Sequence, residues 1–271
     1  MINFLYIIIF LLTFNLLSNI TIADERSIII QSTTSLKNSG FYDYILPFIF
    51  DDIGVKANIV AVGTGAAIRN SMNCDGDILI VHSPQREKKL VSSGYTKINH
   101  YLMHNYFIII GPKEDPAKIK NFKSPYKAFE KIFNTQEYFI SRGDNSGTYD
   151  KELYIWEELN IKPRVYSGKW YLETGSSMGA TINIAIGLGG YTFTDKSTWI
   201  NFSNKKDFVI MVKGHESLIN PYGMMAITRN KCPNVREGAS NKFINWLLSE
   251  KGRVKISEFR VDGKKLFYVD K

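Results

Sequence analysis

The chain has 271 residues, of which 44% are hydrophobic and 22% are charged, so it can form a sizeable core as one large domain or two smaller lobes. Its formal net charge of +8 would suit nucleic acid or an anionic lipid surface if the basic residues were clustered. They are scattered instead, which argues against a nucleic-acid partner but still gives a diffuse positive field that attracts small anions.

The N-terminal segment up to Ala23 contains no charged side chain, and its apolar stretch, Phe4 to Leu17, is too short to span a membrane comfortably. Thr21 to Ala23 resemble the small-residue site at which a signal peptide is cleaved, which makes Asp24 the first mature residue. We therefore predict a secretory signal peptide over residues 1–23 and export to the periplasm. The usual basic residues before the apolar stretch are absent, so an uncleaved membrane anchor is the alternative.

The first third of the mature chain alternates strand-like and helix-like segments. The pattern predicts strands over 27–33, 55–65 and 76–83, with helices over 41–50, 66–73 and 84–94. Such a rhythm is typical of a parallel sheet with helices on its faces, and ligands bind such sheets at the carboxyl ends of the strands. Those ends carry mainly hydroxyl residues and glycine, namely Thr33, Thr34, Ser35, Thr64 and Gly65.

Further strands are predicted over 106–112 and 190–195, and the stretch between them has a strand and helix alternation of its own. We interpret this stretch as a second lobe inserted into the first, with the chain crossing over and returning. The predicted division is a signal peptide over 1–23, the first lobe over 24–108, the second lobe over 109–195, and the rest of the first lobe over 196–271.

The segment from Ser141 to Trp156 carries the strongest local signal for a binding site. Arg142 stands four residues ahead of Ser146, Gly147 and Thr148, and a helical pattern follows at once. The hydroxyls are good helix caps, the glycine permits close approach, and a helix N-terminus has free N–H groups with a partial positive charge. With the guanidinium added, these groups predict a pocket for a tetrahedral oxyanion. The alternative is a capped helix beside a surface arginine.

A second helix start, over residues 174–185, offers backbone N–H groups near Ser177 and Met178, although an ordinary capped helix explains it equally well. The same segment fits the G-x-S-x-G nucleophile motif, and Asp195 and His215 follow in hydrolase order. No oxyanion loop precedes the motif, and too little chain follows for a hydrolase sheet. A secreted serine hydrolase using Ser177 is therefore the alternative of a different class.

Seven segments resemble, in order, the periplasmic tungstate-binding proteins of ABC uptake systems (the TupA type). They are residues 32–35, 61–68, 77–84, 105–116, 141–148, 170–185 and 191–199. The resemblance implies the two-lobed α/β fold of type II periplasmic binding proteins, with a mainly parallel sheet flanked by helices in each lobe and a two-strand hinge. It also implies a monomer that captures tungstate or molybdate and delivers it to an ABC permease, with no catalysis and no cofactor.

The sequence departs from the family pattern at three positions. Ser32 replaces a threonine, Ser83 stands where the resemblance predicts an acid, and Lys196 stands where it predicts an arginine. These departures bear on fine specificity rather than on the class of protein. The sequence does not distinguish tungstate from molybdate, because the two anions have nearly the same size and charge.

Tungstate is a dianion whose oxygens only accept hydrogen bonds, so its pocket should supply donors and no free carboxylate. The predicted ligand-binding residues are Thr33, Thr34, Ser35, Thr64, Gly65, Arg142, Ser146, Gly147, Thr148, Ser177 and Met178, with no direct ligand for a metal cation. Asp144 is expected to hold Arg142 in place, or alternatively to cap the next helix. If Asp144 faced the ligand, a phosphate-binding protein of the same fold would be favoured, because phosphate keeps a proton that needs an acceptor.

The sequence contains two cysteines, Cys74 and Cys232. Export to an oxidising compartment permits a disulfide, but two free thiols are an equally good interpretation. Neither cysteine lies in the spacing of a zinc site.

Overall fold

A computed structural model of the chain describes residues 26–269, so the predicted signal peptide and its cleavage site lie outside the described residues. The strands are β1 (Ser27–Thr33), β2 (Lys56–Val62), β3 (Ile78–Val81), β4 (His100–Pro112), β5 (Phe139–Ser141), β6 (Tyr171–Glu173), β7 (Tyr191–Asp195), β8 (Phe208–Val212), β9 (Ile219–Ala226), β10 (Arg260–Val261) and β11 (Lys264–Lys265).

The helices are α1 (Thr34–Asn38), α2 (Phe41–Ile53), α3 (Thr64–Met72), α4 (Pro84–Ser92), α5 (Pro125–Thr135), α6 (Gly147–Glu158), α7 (Met178–Leu188), α8 (Lys196–Asn201), α9 (Glu237–Leu248) and α10 (Glu250–Glu258). Short 3₁₀ turns occur at Pro163–Tyr166 and Glu216–Leu218. Among these helices, none combines the length and the apolar character needed to cross a membrane.

Strands β1 to β9 form one large sheet in the order β2-β1-β3-β9-β4-β7-β5-β6, with β8 also paired to β4, and β10 and β11 form a separate two-stranded sheet. We call β1, β2, β3, β9 and the start of β4 the first half, and the rest of β4 with β5 to β8 the second half. Parallel pairs lie towards the outside of each half, where β1 joins β2 and β3 and where β5 joins β6 and β7. The predicted α/β class is confirmed.

Strand β4 spans 13 residues and links the two halves. Its first part, from His100 to Tyr106, pairs with β9, and its second part, from Phe107 onwards, pairs with β7 and β8, all in antiparallel fashion. The antiparallel pairs therefore gather around β4, whereas the βαβ units that the sequence predicts form the flanks. A continuous apolar run such as that of β4 is typical of a strand covered on both faces.

Both faces of the sheet are covered by helices, because successive side chains of a strand point to opposite faces. In β3, Ile78 and Ile80 pack with α2 and α9, and Leu79 and Val81 pack with α3 and α4. In β4, Phe107 and Ile109 pack with α5 and α6, and Ile108 and Ile110 pack with α7. Each half thus has an apolar core on either side of the sheet.

The predicted division at residue 195 differs from the packing. Strand β8 pairs with the second part of β4, and Met211, Val212 and Leu218 belong to the core of the second half. The chain rejoins the first half only at Ile219, where β9 begins. Residues 208–212 and 219–226 are both strand-like runs, and the sequence carries no signal for which part of β4 each one joins. The division into two lobes itself stays a prediction.

Cys74 and Cys232 form a disulfide whose two Cα atoms lie 5.3 Å apart, which decides between the two interpretations of the cysteines. The bridge connects the residue after Asn73 at the end of α3 to the loop before α9, within the first half.

Replacing both cysteines by serine is expected to lower the free energy of unfolding by about 2–5 kcal/mol, the usual cost of losing a native disulfide, because the bridge restricts the unfolded chain by closing a loop of 158 residues. The melting temperature should fall by roughly 10 °C in differential scanning calorimetry. Reduction of the parent protein should give a similar loss. An unchanged melting temperature in both experiments would contradict a stabilising bridge.

Candidate functional site

Two helix N-termini from opposite halves of the sheet meet face to face. Helix α3 begins at Thr64, and helix α6 begins at Gly147 with Ser146 as its N-cap residue. The backbone N–H of Gly147 donates to Thr64 Oγ1 at 3.1 Å, and the N–H of Gly65 donates to the carbonyl of Asn145 at 2.9 Å. The structure therefore brings Thr64, Gly65 and Gly147 together, with the positive ends of two helices at one place.

The close approach depends on the two glycines. A Cβ atom on Gly147 would lie 2.6 Å from the carbonyl oxygen of His82, and one on Gly65 would lie 2.9 Å from Cβ of Asn145. Both distances are shorter than van der Waals contact, so any other residue would separate the two helix ends. The glycines predicted from the motifs therefore allow the two halves to touch.

Arg142 follows β5 directly and is only 6% exposed. Its Nη2 atom donates to Asp144 Oδ2 at 2.6 Å, and Asp144 Oδ1 accepts from both the backbone N–H and the hydroxyl of Ser146, at 3.2 and 2.6 Å. The hydroxyl of Ser146 in turn accepts from the N–H of Tyr149 at 3.2 Å and caps α6. Asp144 thus holds Arg142, as expected, and both of its carboxylate oxygens accept hydrogen bonds from protein donors.

Two buried polar atoms beside this helix start have no hydrogen-bond partner among the described residues: Arg142 Nε and Thr148 Oγ1. A buried polar group left unpaired costs about 1–3 kcal/mol, so such groups are normally satisfied. A guanidinium N–H and a hydroxyl are donors. In the first turn of α6, the N–H groups of Gly147 and Tyr149 already donate to Thr64 Oγ1 and Ser146 Oγ, so the two side-chain donors are the ones left to a ligand. The arrangement fits a group that only accepts hydrogen bonds, such as an oxyanion.

Glu152 of α6 anchors the strand end that carries Arg142. Its carboxylate accepts from Ser141 Oγ at 2.9 Å and from the hydroxyl of Tyr171 at 2.7 Å. Burial raises the pKa of Glu152 from the usual 4.5 to about 7. The folded protein therefore binds one more proton than the unfolded chain between these two pH values.

This contribution to stability is fully present below about pH 4.5 and is lost as the pH rises through about 7. Relative to a Glu152→Gln variant, the parent should lose up to roughly 3 kcal/mol of unfolding free energy over that range. Urea unfolding at the two pH values measures the difference. The exposed Glu130 provides the matched control, Glu130→Gln, which should leave the pH dependence unchanged. A parent and Glu152→Gln variant with parallel pH profiles would contradict the prediction.

The hydroxyl residues after β1 form a tight turn into α1. Thr33 caps the helix by accepting from the N–H of Leu36 at 3.3 Å, and its hydroxyl lies 3.2 Å from that of Ser35, while Thr34 is half-buried. Within residues 26–269, no hydrogen bond joins this turn to the Arg142 segment. Ser32 lies inside the fold, where its hydroxyl donates to the carbonyl of Ile80 at 3.0 Å.

The segment before α7 is joined to Arg142 through Thr174, whose hydroxyl donates to the carbonyl of Arg142 at 3.3 Å. Ser177 is the exposed N-cap residue of α7. The Met178 side chain is buried in the apolar core with Ile182, so only its backbone N–H can serve a ligand. The segment can therefore be an ordinary helix start and still offer the backbone N–H donors that the sequence predicts.

The geometry does not assemble a serine hydrolase triad. Ser177 has the relaxed values φ −63° and ψ 161°, whereas a nucleophile elbow is strained. The carboxylate of Asp195 accepts from Ser197 Oγ and from the N–H and hydroxyl of Thr198, and His215 Nδ1 lies 2.8 Å from Ser217 Oγ. Each member of the motif is therefore engaged in its own local contacts.

A chain of buried polar side chains crosses the strands where the two halves join. His82 Nδ1 lies 2.9 Å from Asn220 Oδ1, Asn220 Nδ2 donates to Asn105 Oδ1 at 2.7 Å, and Asn105 Nδ2 donates to Ser197 Oγ at 3.2 Å. Burial lowers the pKa of His82, which keeps the imidazole uncharged at neutral pH. His82 thus has a structural role in this chain of polar side chains.

Sequence reasoning missed a polar contact between α4 and α6. Arg86 Nη2 donates to Asp150 Oδ1 at 2.6 Å, and Ser83 Oγ donates to Asp150 Oδ2 at 2.8 Å. The sequence offers one indication of this contact, the acidic residue Asp150 in the first turn of a helix. An acidic residue at that position indicates by itself only a favourable interaction with the helix dipole.

Comparison with known proteins assigns the chain to a class. The profile of the PBP superfamily domain matches residues 21–251. The tungstate-binding protein TupA of Peptoclostridium acidaminophilum is 36% identical over 237 residues, covering 87% of this chain and 82% of that protein. The TupA of Campylobacter jejuni is 37% identical over 240 residues, covering 87% and 88%.

The solved structure of the tungstate-binding protein TupA from Desulfovibrio alaskensis G20 aligns with a TM-score of 0.78 and 38% identity, covering 89% of this chain and 98% of that one. The chain therefore belongs to the periplasmic binding protein superfamily and, within it, to the TupA type. This family consists of solute-binding proteins rather than enzymes, and membership implies an extracytoplasmic location.

Proposed function

We propose that this protein captures tungstate, or the closely similar molybdate, and delivers it to the permease of an ABC uptake system. The observation that carries the proposal is the pair of unpartnered donors, Arg142 Nε and Thr148 Oγ1, beside the facing N-termini of α3 and α6. The names of the TupA relatives support the same ligand. The proposed ligand-binding residues are Thr33, Thr34, Ser35, Thr64, Gly65, Arg142, Ser146, Gly147, Thr148, Ser177 and Met178.

The hydrogen bonds of Asp144 favour a fully ionised anion over phosphate. Both carboxylate oxygens accept from Arg142 or Ser146, so Asp144 is occupied as an acceptor within the protein. Phosphate near neutral pH carries a proton that needs such an acceptor, and a donor-only pocket leaves this proton unpaired. The loss of one buried hydrogen bond costs about 1–3 kcal/mol, or roughly 5- to 150-fold in affinity.

The protein acts, in this proposal, as an exported monomer that needs no cofactor and performs no catalysis. Export proceeds through the signal peptide over residues 1–23, and the permease in the inner membrane is the macromolecular partner. An anion between the halves would bind the closed arrangement better than an open one and so shift the population towards it.

Isothermal titration calorimetry with tungstate, molybdate, sulfate and phosphate tests the ligand class. We expect tungstate and molybdate to bind much more tightly than phosphate. A phosphate affinity equal to or above that of tungstate would overturn the assignment. A Ser177→Ala variant that still binds the oxyanion, together with an absence of ester turnover in the parent, would dismiss the hydrolase alternative.

A further inference from the structure

The carboxylate of Asp150 joins the two halves of the sheet outside the proposed ligand set. Asp150 lies in the first turn of α6 on the second half, while its two hydrogen-bond donors, Arg86 and Ser83, lie at the start of α4 on the first half. Both oxygens are used, at 2.6 Å from Arg86 Nη2 and at 2.8 Å from Ser83 Oγ. We propose that these three residues form a latch that holds the halves together and thereby sets the affinity for the anion.

The donor side of the latch is held rigidly. The backbone N–H of Ser83 donates to Glu87 Oε1 at 2.7 Å, and Glu87 Oε2 accepts from Asn99 Nδ2 at 2.7 Å. Glu87 is buried, so this part of α4 is fixed to the first half. The hydroxyl of Ser83 is thus presented to Asp150 without the loss of side-chain freedom that weakens most surface contacts.

The latch lies directly beside the proposed anion site. A Cβ atom on Gly65 would come within 2.9 Å of Arg86 Nη1, so the guanidinium lies against the start of α3. Asp150 lies in the same first turn of α6 as Gly147 and Thr148, and its backbone N–H donates to the carbonyl of Ser146 at 3.0 Å. Any movement that separates Asp150 from Arg86 therefore also moves the donors proposed to hold the anion.

The latch joins protein atoms to one another, so it contributes to the closed arrangement independently of the anion. The apparent affinity of a ligand is reduced by the fraction of protein in the competent state, so loosening the latch weakens binding even though no direct ligand contact is lost. Arg86 and Asp150 keep 31% and 29% of their side-chain surface exposed, which makes the latch sensitive to salt. The identity of the ligand in this inference rests on the proposed function, whereas the latch itself rests on the hydrogen bonds of Asp150 with Arg86 and Ser83.

A double-mutant cycle tests the latch. Arg86→Ala and Asp150→Ala should each raise the dissociation constant for tungstate by about fivefold, and the double variant should be no weaker than the worse single one, because both remove the same contact. Stopped-flow tryptophan fluorescence should show the change as faster anion release. Lys88→Ala is the matched control for Arg86→Ala, since this exposed lysine also lies on α4 and its removal takes away the same single positive charge.

Small-angle X-ray scattering of the anion-free protein provides the second measurement. The Asp150→Ala variant should have a larger radius of gyration than both the parent and Lys88→Ala, and 0.5 M NaCl should enlarge the parent but not the variant. Additive effects in the cycle, or an unchanged radius of gyration, would overturn the latch. If the parent bound no tungstate, the proposed function would fail, while the scattering comparison would still decide on the latch.

Discussion

An Arg142→Ala variant is expected to bind tungstate with about 3 kcal/mol less free energy than the parent, which is roughly a 150-fold loss of affinity. Arg142 is almost fully buried, and its Nε atom is one of the unpartnered donors of the site. Its removal takes away a cation and the unpartnered Nε donor. It also leaves the carboxylate of Asp144 without its ion pair, so that a negative charge remains beside the anion. Isothermal titration calorimetry measures the loss.

Two further variants separate the parts of this effect. Arg142→Lys keeps the charge but loses the planar fork, and it should bind tungstate with an affinity between those of the parent and Arg142→Ala. Arg69→Ala removes an exposed arginine from α3 and should change the affinity less than twofold. Equal affinities for Arg142→Ala and Arg69→Ala would show that the guanidinium does not contact the anion.

A Gly147→Ala variant is expected to fold normally but to lose roughly 5- to 150-fold in tungstate affinity. The new methyl group would lie 2.6 Å from the carbonyl oxygen of His82, a backbone atom that cannot turn away. Overpacking of this kind costs about 1–3 kcal/mol, and here the cost falls on the closed arrangement, because the clash is between the two halves. Gly147 does not have a positive φ, so alanine fits its backbone conformation.

Calorimetric titration and thermal unfolding together test this prediction. The melting temperature of Gly147→Ala should stay close to that of the parent while the affinity falls. Gly187→Ala is the matched control, since this glycine also lies in a helix, α7, and a Cβ atom there would meet nothing within 4 Å. A Gly147→Ala variant with parental affinity would mean that the helix ends need not touch when the anion binds.

Much of the fold follows from local patterns in the sequence. The short apolar runs of β1 and β3 and the amphipathic helices between them predict parallel pairs, and these pairs form. Local patterns do not determine which strands pair with each part of β4. Strands β8 and β9 are both apolar, and only tertiary packing decides that β8 joins the second half and β9 the first.

Local sequence patterns also predict only some of the contacts at the candidate site. Thr64, Gly65 and Gly147 come together because they lie at two facing helix starts. The sequence marks the start at Gly147, whereas it predicts Thr64 and Gly65 as the end of a strand that in the structure stops at Val62. The latch was missed because Ser83 and Arg86 are 67 and 64 residues away from Asp150, and nothing local indicates that the three side chains meet. For the same reason, the sequence does not decide whether the disulfide forms, since the spacing of two cysteines does not reveal whether they are close in space.

The continuity of β4 has a consequence for how the protein unfolds and how it can be divided. Strand β9 pairs with one edge of β4 over its first part, and β7 pairs with the other edge over its second part. Unfolding of either half therefore breaks backbone hydrogen bonds of β4. The two halves should therefore lose their structure cooperatively rather than in sequence. A fragment produced by cutting the chain within β4 would expose a strand edge with unpaired backbone N–H and C=O groups, and such an edge promotes self-association.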